Sequence, residues 1–316
     1  MSDPALLSEK IRAALEPRRL GEWPTPLELA PALTRALGLV ELRLKREDRG
    51  ASVGGGNKVR GLEFLLAHVP AGTVFVTAGG TGSTHCLCTA VHAEALGHRT
   101  VLAQFRQPDT AESRAVAAAC ARRAALIVCA RGPATLPLAV LDAWRRARAL
   151  GTRRWIPGGG AHPRAVVGHV LAGLELASQT PEPPDAILLP LGTGGTAAGV
   201  ALAVATLGWP TKIVAVRVAP RVVANGWRTR WLAHAARRLL ARHGVALPAP
   251  RSLDIVDGVG AGYGRPTAPG EAARRLASQH GLALDPTYGA KAFAFLLQRG
   301  AYDVQRVVFW HTFAVP

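Results

Sequence analysis

The chain has 316 residues, of which 49% are apolar and 19% charged, a balance that is typical of globular proteins and excludes a disordered or fibrous chain. No run of about 18 uncharged apolar residues occurs, so we predict no membrane-spanning helix and no membrane partner. The formal net charge is +17, and only five of the 38 basic residues are lysine. Because the arginines are spread along the whole chain, we predict no specific nucleic-acid partner and interpret the charge as attracting anionic substrates or cofactors.

The N-terminus and the cysteines indicate where the protein works. Residues 1–19 are charged and contain no long apolar core, so we predict no secretory signal and expect a cytoplasmic location. Four cysteines are too few for a disulfide framework at this length, and we expect all of them to be buried as small apolar side chains. They are Cys86, Cys88, Cys120 and Cys129. No histidine or cysteine pair has metal-ligand spacing, so no metal is predicted.

In chain order, the first half of the sequence alternates predicted helices and strands. A short helix within residues 5–20 precedes an extended segment over 23–27, because each proline there moves its predecessor out of the α region. The following elements are a helix over 29–37, a strand over 40–46, a helix that begins at Lys58, a strand over 74–77, a helix over 86–96, a strand over 100–105, a helix over 114–124, a strand over 126–130, a helix over 137–150 and a strand over 153–157.

The second half continues the alternation. Its elements are a helix over 164–179, a strand over 186–190, a helix over 197–207, a strand over 212–218, a helix over 225–243, a strand over 253–259, helices over 269–281 and 290–299, and a strand over 307–310. This order predicts an α/β fold with two lobes of twisted, mostly parallel sheet and helices on both faces. We expect a large domain formed by residues 1–50 and 165–316, and a small domain formed by residues 51–164.

One glycine-rich loop contains the most informative lysine. Residues 54–56 are glycines, which permit positive φ and a close approach of the backbone to a ligand. Asn57 is a favourable helix N-cap, and the apolar residues after it recur at helical spacing, so Lys58 is expected in the first helical turn. The helix dipole and desolvation both lower the pKa of an amine there. Lys58 is therefore a candidate Schiff-base lysine, and the alternative is a solvated lysine at a loop–helix junction.

A second glycine-rich loop lies between a predicted strand and a predicted helix. Its residues are Gly192, Thr193, Gly194, Gly195 and Thr196. Backbone N–H groups at such a helix start bind phosphate, although a plain tight turn has the same pattern. The loop lacks the Lys-Ser/Thr pair of a nucleotide P-loop and the spacing of a dinucleotide fingerprint. A Schiff-base lysine together with a phosphate cradle predicts pyridoxal 5′-phosphate as the cofactor.

Motifs in one order also resemble a known family, that of 1-aminocyclopropane-1-carboxylate deaminase and D-cysteine desulfhydrase. The stretches that are similar lie at 45–48, 55–60, 62–64, 79–85, 159–160, 192–199, 256–264, 284–292 and 311–312. They cover the chain from about residue 24 to its end. The resemblance implies the fold of the tryptophan synthase β-subunit, which is fold type II of the pyridoxal-phosphate enzymes.

The resemblance implies a role for each matching residue. Lys58 would hold the cofactor and move the proton at the substrate Cα, and the five residues of the loop 192–196 would bind its phosphate. Ser83 would lie in the loop for the substrate carboxylate, and Tyr263 and Tyr288 would flank the substrate. The remaining cofactor-binding residues would be Asn57, Thr84 in the usual place of an asparagine, and Thr312 near the pyridine nitrogen.

The chain departs from the family pattern around the substrate. The departures are Thr84, the segment 162–164, Gly289 and the pair Phe313-Ala314. The resemblance implies a homodimeric lyase of the deaminase or desulfhydrase type, which releases ammonia and a 2-keto acid from a small amino acid. Because of the departures, we retain two alternatives: a relative that binds cofactor or amino acid without turnover, and one that catalyses β-replacement or racemisation. The net charge of +17 leaves a third, a basic protein that binds nucleic acid nonspecifically.

Overall fold

A computed structural model describes residues 3–52, 54–298 and 302–313 and contains helices that cover two sheets. The α-helices are α1 Pro4–Leu15, α2 Pro31–Ala36, α3 Lys58–Leu65, α4 Thr84–Ala95, α5 Ala111–Arg123, α6 Leu136–Ala147, α7 Pro163–Gln179, α8 Gly195–Thr206, α9 Gly226–Arg242, α10 Ala268–Gln279 and α11 Gly289–Leu297. Short 3₁₀ turns cover Glu47–Arg49, Pro133–Thr135 and Gly158–Gly160. The helix predicted over 290–299 ends two residues early, and its last predicted residue lies outside the described ranges.

The strands form one sheet of six and one of four. They are β1 Leu27–Leu29, β2 Glu41–Arg46, β3 Val74–Gly80, β4 Arg99–Phe105, β5 Leu126–Ala130, β6 Arg153–Ile156, β7 Ala186–Leu191, β8 Lys212–Arg217, β9 Asp254–Asp257 and β10 Arg306–His311. The strand orders are β1-β2-β10-β7-β8-β9 and β5-β4-β3-β6, and among the described strands only the β1–β2 pairing is antiparallel. The predicted α/β class with mostly parallel sheets is confirmed, whereas the three-residue strand β1 was not predicted.

The six-stranded sheet is covered by helices on both faces. Successive side chains of a strand point to opposite faces, so neighbouring residues pack in different apolar clusters. Leu188 of β7 packs in one apolar cluster with Phe293 of α11, and its neighbour Ile187 packs in another with Val200 of α8. Every residue of β7 is buried, which explains why this strand is a continuous apolar run. The sheet therefore places its carboxyl-terminal edge, where β7 leads into α8, between two helical layers.

Two glycines allow α3, α7 and α8 to pack with little space between them. A Cβ atom on Gly168 of α7 would lie 2.1 Å from the carbonyl oxygen of Arg60 in α3. A Cβ atom on Gly199 of α8 would lie 2.3 Å from the Cβ of His169 in α7. No side chain fits at either position, so these helices form one close-packed stack that connects the lysine helix with the helix of the second glycine loop.

The four cysteines do not share one environment. Cys86, Cys88 and Cys120 are buried as expected, but Cys129 is exposed, which corrects the prediction. The reason is its position on β5, the edge strand of the four-stranded sheet, where most residues are only half-buried.

The chain segments that form the two sheets are separate in sequence. All four strands of the smaller sheet lie between Val74 and Ile156, and the strands of the larger sheet lie on either side of that segment. The domain boundaries at residues 50/51 and 164/165 stay a prediction. Within the described residues, no helix is long and apolar enough to cross a membrane.

Candidate active site

Lys58 is the first residue of α3, in the helical turn where the sequence predicts it. The preceding residue, Asn57, holds the predicted N-cap position. Contrary to the prediction, its side chain makes no capping hydrogen bond to the helix. Its Nδ2 instead donates to Oγ1 of Thr196 at 2.7 Å, and its backbone N–H donates to the carbonyl of Thr312 at 2.9 Å. Asn57 therefore connects the lysine loop to both the second glycine loop and the end of β10.

The surroundings of Lys58 favour a neutral amine. Burial lowers the pKa of Lys58 to about 8, although the nearby Cys88 opposes the shift. Burial, together with the charge on Lys58, lowers the pKa of His85 to about 3. Burial and the charges on Lys58 and Arg60 lower the pKa of His169. No described group hydrogen-bonds to the Lys58 Nζ atom. A substantial neutral fraction near neutral pH is what nucleophilic attack on an aldehyde requires.

The second glycine loop forms an anion cradle at the start of α8. Gly194 occupies the N-cap with φ +91°, and a Cβ there would lie 2.6 Å from Oγ1 of Thr229. The first bond of the helix runs from the N–H of Ala198 to the carbonyl of Gly194, so the N–H groups of residues 195–197 have no intrahelical acceptor. No atom lies within 4 Å of a Cβ built on Gly195. The loop thus offers unpaired donors beside open space.

These donors fit a phosphate group. The Oγ1 of Thr196 accepts a hydrogen bond from Asn57, so its own hydrogen remains to be donated elsewhere. A helix N-terminus adds partial positive charge without a cationic side chain. Because Asn57 precedes Lys58 directly, the amine and the cradle belong to one site. The residues present therefore fit the aldehyde and the phosphate of the predicted cofactor.

Thr312 and Phe313 contact the lysine loop. Both side chains are buried just beyond β10. A Cβ on Gly56 would lie 3.0 Å from the carbonyl of Thr312 and 3.2 Å from Cδ2 of Phe313. The unusual phenylalanine therefore packs against the backbone of the lysine loop, and Ala314 lies outside the described residues.

The two predicted tyrosines contact each other. Their hydroxyl oxygens are 2.7 Å apart, and their ring centroids are 6.1 Å apart in an edge-to-face arrangement. Burial raises the pKa of both Tyr263 and Tyr288, so both hydroxyls are protonated at neutral pH. The Tyr288 ring lies 3.4 Å from a Cβ built on Gly192, which places the pair beside the phosphate cradle.

Asp285 explains the glycine that follows Tyr288. Its carboxylate accepts backbone N–H groups of Thr287, Tyr288 and Gly289 at 2.7 to 3.0 Å, at the start of α11. A Cβ on Gly289 would lie 2.9 Å from the Asp285 Oδ2 atom. A side chain at position 289 would therefore have to displace the Asp285 carboxylate from the start of α11.

Ser83 and Thr84 open α4 on the side of the smaller sheet. Ser83 is the N-cap, and its Oγ accepts the N–H of Cys86 at 3.3 Å. Thr84 is the first helical residue and is half-buried. The end of β4 contacts the tyrosine side through Phe105, whose ring centroid is 6.3 Å from that of Tyr263. The structure thus brings elements of both sheets to one site.

The sequence assigned no site role to three residues near the lysine and the cradle. His85 follows Thr84 directly, and its Nε2 is 2.9 Å from Oγ1 of Thr77. Its position at the end of the stretch 79–85, which resembles the family, was a usable signal. His169 comes from α7, and no local pattern indicated its proximity. Gly159 lies against the cradle because its carbonyl accepts from Oγ1 of Thr193 at 3.5 Å.

A comparison of the sequence with models of protein families agrees with the site geometry. The model of the family described as "Pyridoxal-phosphate dependent enzyme" matches residues 18–312. The chain belongs to this family. Its cofactor is pyridoxal 5′-phosphate, as the combination of lysine and cradle predicts.

Relatives of known activity are similar over most of their length. The chain is 35% identical over 305 residues to nocardicin C-9′ epimerase of Nocardia uniformis subsp. tsuyamanensis, with 91% of each chain covered. It is 32% identical over 312 residues to D-cysteine desulfhydrase of Salmonella choleraesuis, with 93% of this chain and 92% of the relative covered. The resemblance to the desulfhydrase family is confirmed.

Solved structures confirm the fold. A homologue of ACC deaminase aligns with a TM-score of 0.83 and 27% identity, covering 96% of this chain and 94% of that one. A threonine deaminase from T.th. aligns with a TM-score of 0.71 and 22% identity over 98% of both chains, which shows the shared fold alone. The predicted fold type II of the pyridoxal-phosphate enzymes is therefore correct.

Proposed function

We propose that the protein is a lyase of the deaminase or desulfhydrase type, which converts a small amino acid to ammonia and a 2-keto acid. The observation that carries the proposal is the Lys58 amine, which has a pKa of about 8 and no hydrogen-bond partner among the described residues, and which Asn57 connects to a phosphate cradle. The desulfhydrase of Salmonella and the homologue of ACC deaminase support this reaction class.

Each residue of the site has a separate task in this proposal. Pyridoxal phosphate supplies an aldehyde for amines and an electron-withdrawing ring that stabilises negative charge at the substrate Cα. Lys58 takes up and returns the proton at that carbon. Gly194, Gly195 and Thr196 bind the phosphate through N–H and hydroxyl donors. Thr312 would be the partner of the ring nitrogen, and a neutral hydroxyl there would leave the ring less electron-withdrawing than a carboxylate would, which favours elimination.

The substrate is held between the two sheets. The N–H groups at the start of α4, next to Ser83 and Thr84, receive the substrate carboxylate, since a helix N-terminus favours an anion. The Tyr263–Tyr288 pair holds one hydroxyl hydrogen between its oxygens and retains a second to donate. That hydrogen protonates the leaving group or the substrate carbon.

Epimerisation is the second candidate function. The 35% identity to an epimerase over 91% of both chains favours it. Inversion at Cα needs one group to remove a proton and another to deliver one. Lys58 and the tyrosine pair are two such groups on different segments of the chain.

One set of measurements decides between these functions. The protein is loaded with pyridoxal phosphate, reduced with borohydride and digested, and the expected result is a phosphopyridoxyl mass on the peptide that contains Lys58. D- and L-amino acids are then assayed for 2-keto acid and, in D₂O, for deuterium at Cα. Keto acid from one enantiomer supports the lyase, and deuterium with inversion but without keto acid supports the epimerase. Spectral shifts with neither product identify a binding protein without turnover, and an unlabelled Lys58 refutes the cofactor-binding role of this lysine.

The assembly and the location are further proposals. A homodimer is expected from the family resemblance, and Trp227 and Trp231 of α9, 72% and 53% exposed, are apolar side chains of the kind that association covers. Light scattering of the purified protein tests this state, and a monomeric mass at micromolar concentration contradicts it. The proposed cytoplasmic location is tested by fractionation of the source cells.

A further inference from the structure

Two residues beyond Lys58, the Arg60 side chain lies in a buried network that the proposed chemistry does not use. Arg60 is 1% exposed and Glu47 is 0% exposed. Glu175 of α7 and Thr25 of the N-terminal segment also accept hydrogen bonds from the guanidinium. The network joins four separate segments of the chain at the place where α3 begins.

The guanidinium of Arg60 is held by two carboxylates at once. Its Nε and Nη2 atoms each donate to Glu47 at 2.7 Å, and Nη1 and Nη2 donate to Glu175 at 3.0 and 2.9 Å. The ring of Trp23 lies 3.9 Å from the guanidinium carbon and covers one face. A planar fork paired with two carboxylates has little freedom to rotate. Arg60 therefore fixes the backbone that carries it.

The network is balanced in charge. Lys45, which is fully buried, donates from Nζ to Glu175, to the Gln179 amide oxygen and to the Thr25 carbonyl. Two cations thus face two carboxylates, Glu47 and Glu175. Buried ion pairs contribute little net stability compared with apolar packing, because desolvation offsets their attraction. What such a network supplies is a defined geometry.

Arg60 and Lys58 leave the helix on different sides, because residues two apart do not face each other. Arg60 holds one side of the first turn, and Asn57 holds its start through the backbone bond to Thr312. The close contact between Gly168 and the Arg60 carbonyl limits movement along α7. The first turn of α3 is thus held at three points while the lysine side chain stays free.

We propose that Arg60 is a positioning residue: clamped by Glu47 and Glu175, it fixes the first turn of α3 so that the Lys58 amine meets the aldehyde of the cofactor. Arg60 itself touches neither cofactor nor substrate. This inference rests on the proposed role of Lys58. Covalent bonding of the cofactor to Lys58 then depends on Arg60. Binding of the cofactor phosphate depends on α8 and is independent of Arg60.

The test separates these two steps with two probes. The variants Arg60→Lys, which keeps the charge but loses the fork, and Arg60→Gln are compared with the wild type. Pyridoxal phosphate reports bonding to Lys58, and 4′-deoxypyridoxine 5′-phosphate, which has no aldehyde, reports phosphate and ring binding alone. We expect the rate of borohydride-fixed labelling of Lys58 to fall at least tenfold in both variants. The dissociation constant of the deoxy probe should stay within twofold.

Two controls address folding. The double variant Arg60→Gln/Glu47→Gln removes the fork without leaving an unbalanced buried carboxylate, so it replaces Arg60→Gln if that variant does not fold. Leu240→Ala, in the core of α9, lowers stability without touching the network. It should keep the wild-type labelling rate. Wild-type labelling in the folded Arg60 variants, equal losses with both probes, or the same selective loss in Leu240→Ala overturns the inference.

A measurement without cofactor tests the positioning role of Arg60 separately from the proposed function. Reductive methylation of Lys58, followed by mass spectrometry across pH, reports the accessibility and protonation of the amine directly. We expect the Arg60 variants to change its rate at pH 8 at least threefold. If wild-type Lys58 takes no cofactor label, the proposed function fails, and unchanged methylation in the Arg60 variants separately overturns the positioning role.

Discussion

The Lys58 amine has no oppositely charged group beside it among the described residues. His85 beside it is neutral at physiological pH because burial lowers its pKa to about 3, and the Cys88 thiol stays protonated because burial raises its pKa to about 12. A protonated Lys58 therefore has no counter-charge among the described residues. The chain gives up some stability at this position in exchange for a reactive group.

The pH dependence of cofactor bonding follows from the lowered pKa of Lys58. Only the neutral amine attacks, so the rate of bonding should rise with pH and level off above about 8, rather than above 10.5 as for an ordinary lysine. Absorbance after mixing cofactor-free protein with pyridoxal phosphate, from pH 6 to 10, measures this rate. A profile that still rises tenfold per pH unit between 9 and 10 contradicts the assignment.

The tyrosine pair should affect turnover without affecting the cofactor. Tyr263→Phe or Tyr288→Phe removes one of two neighbouring hydroxyls, and loss of a positioned proton donor costs about 10²-fold or more in rate. Labelling of Lys58 should stay at the wild-type level in both variants. Steady-state kinetics on the best substrate of the amino-acid panel measures the loss. Full activity in both variants shows that neither hydroxyl moves a proton.

At the scale of elements, the site is made by the ends of strands and the starts of helices. The turn from β7 into α8 provides unpaired N–H groups, and the start of α3 provides the lysine. Asn57 joins the two starts through a side-chain bond across 139 residues of sequence. The helix dipoles of α3, α4 and α8 thus act on one small volume, and this arrangement suits a ligand with a phosphate and a carboxylate.

Neighbouring glycines in this turn should respond differently to alanine. Gly194→Ala introduces a Cβ 2.6 Å from Thr229 Oγ1 at φ +91°, so we expect a loss of about 1–3 kcal/mol in the free energy of unfolding. Gly195→Ala has open space and should leave the stability of the cofactor-free protein within about 0.5 kcal/mol.

The affinity for the cofactor should show whether this turn binds the phosphate or has a structural role alone. If the open space beside Gly195 receives the phosphate, Gly195→Ala raises the dissociation constant of pyridoxal phosphate at least tenfold despite its normal stability. Chemical denaturation and a cofactor titration measure the two quantities. Unaltered affinity in Gly195→Ala places the phosphate elsewhere.

At the scale of the whole molecule, two sheets with separate cores meet at the site. Tyr263 comes from the turn after β9 of the larger sheet and packs against Phe105 at the end of β4 of the smaller one. Pro108 lies 3.2 Å from a Cβ built on Gly264 in the same contact. A ligand that touches both sides is expected to tie them together.

Thermal stability should therefore report cofactor binding. At 100 times its dissociation constant a ligand adds about 2.7 kcal/mol, which for a chain of 316 residues corresponds to a rise in Tm of roughly 4 °C. Lys58→Met should show a smaller rise with cofactor. Without cofactor it should melt about 1–3 °C above the wild type, because it removes an amine whose charged form is destabilised by burial. Differential scanning fluorimetry checks both, and an equal rise in the two proteins contradicts a covalent role for Lys58.

Most of the architecture could be predicted because strands and helices alternate with clear apolar periods. The exception, β1, has three residues next to prolines and is only partly buried, so no strand pattern develops. Cys129 shows the second limit, since burial on an edge strand depends on what lies beside the sheet. Composition alone does not provide that information.

The site was predictable where it is local in sequence. Lys58 and the loop 192–196 are contiguous motifs whose chemistry follows from the backbone. Thr196, which pairs with Asn57, is 139 residues away, and Glu175, which pairs with Arg60, is 115 residues away. The approach of His169 depends on how α7 packs. Such contacts follow from tertiary structure, so the N-cap prediction for Asn57 was wrong although its position was right.

The glycine contacts within the stack of α3, α7 and α8 have a practical consequence for directed evolution. Gly168 and Gly199 lie inside helices, where glycine costs about 1 kcal/mol relative to alanine, and they are tolerated for the close approach they permit. A family-shuffling library with a crossover between α7 and α8 will recover active chimeras only when both parents carry matching small residues. Crossovers that exchange the segment from β3 to β6 leave this contact surface intact, and they exchange the start of α4, where we propose that the substrate carboxylate binds.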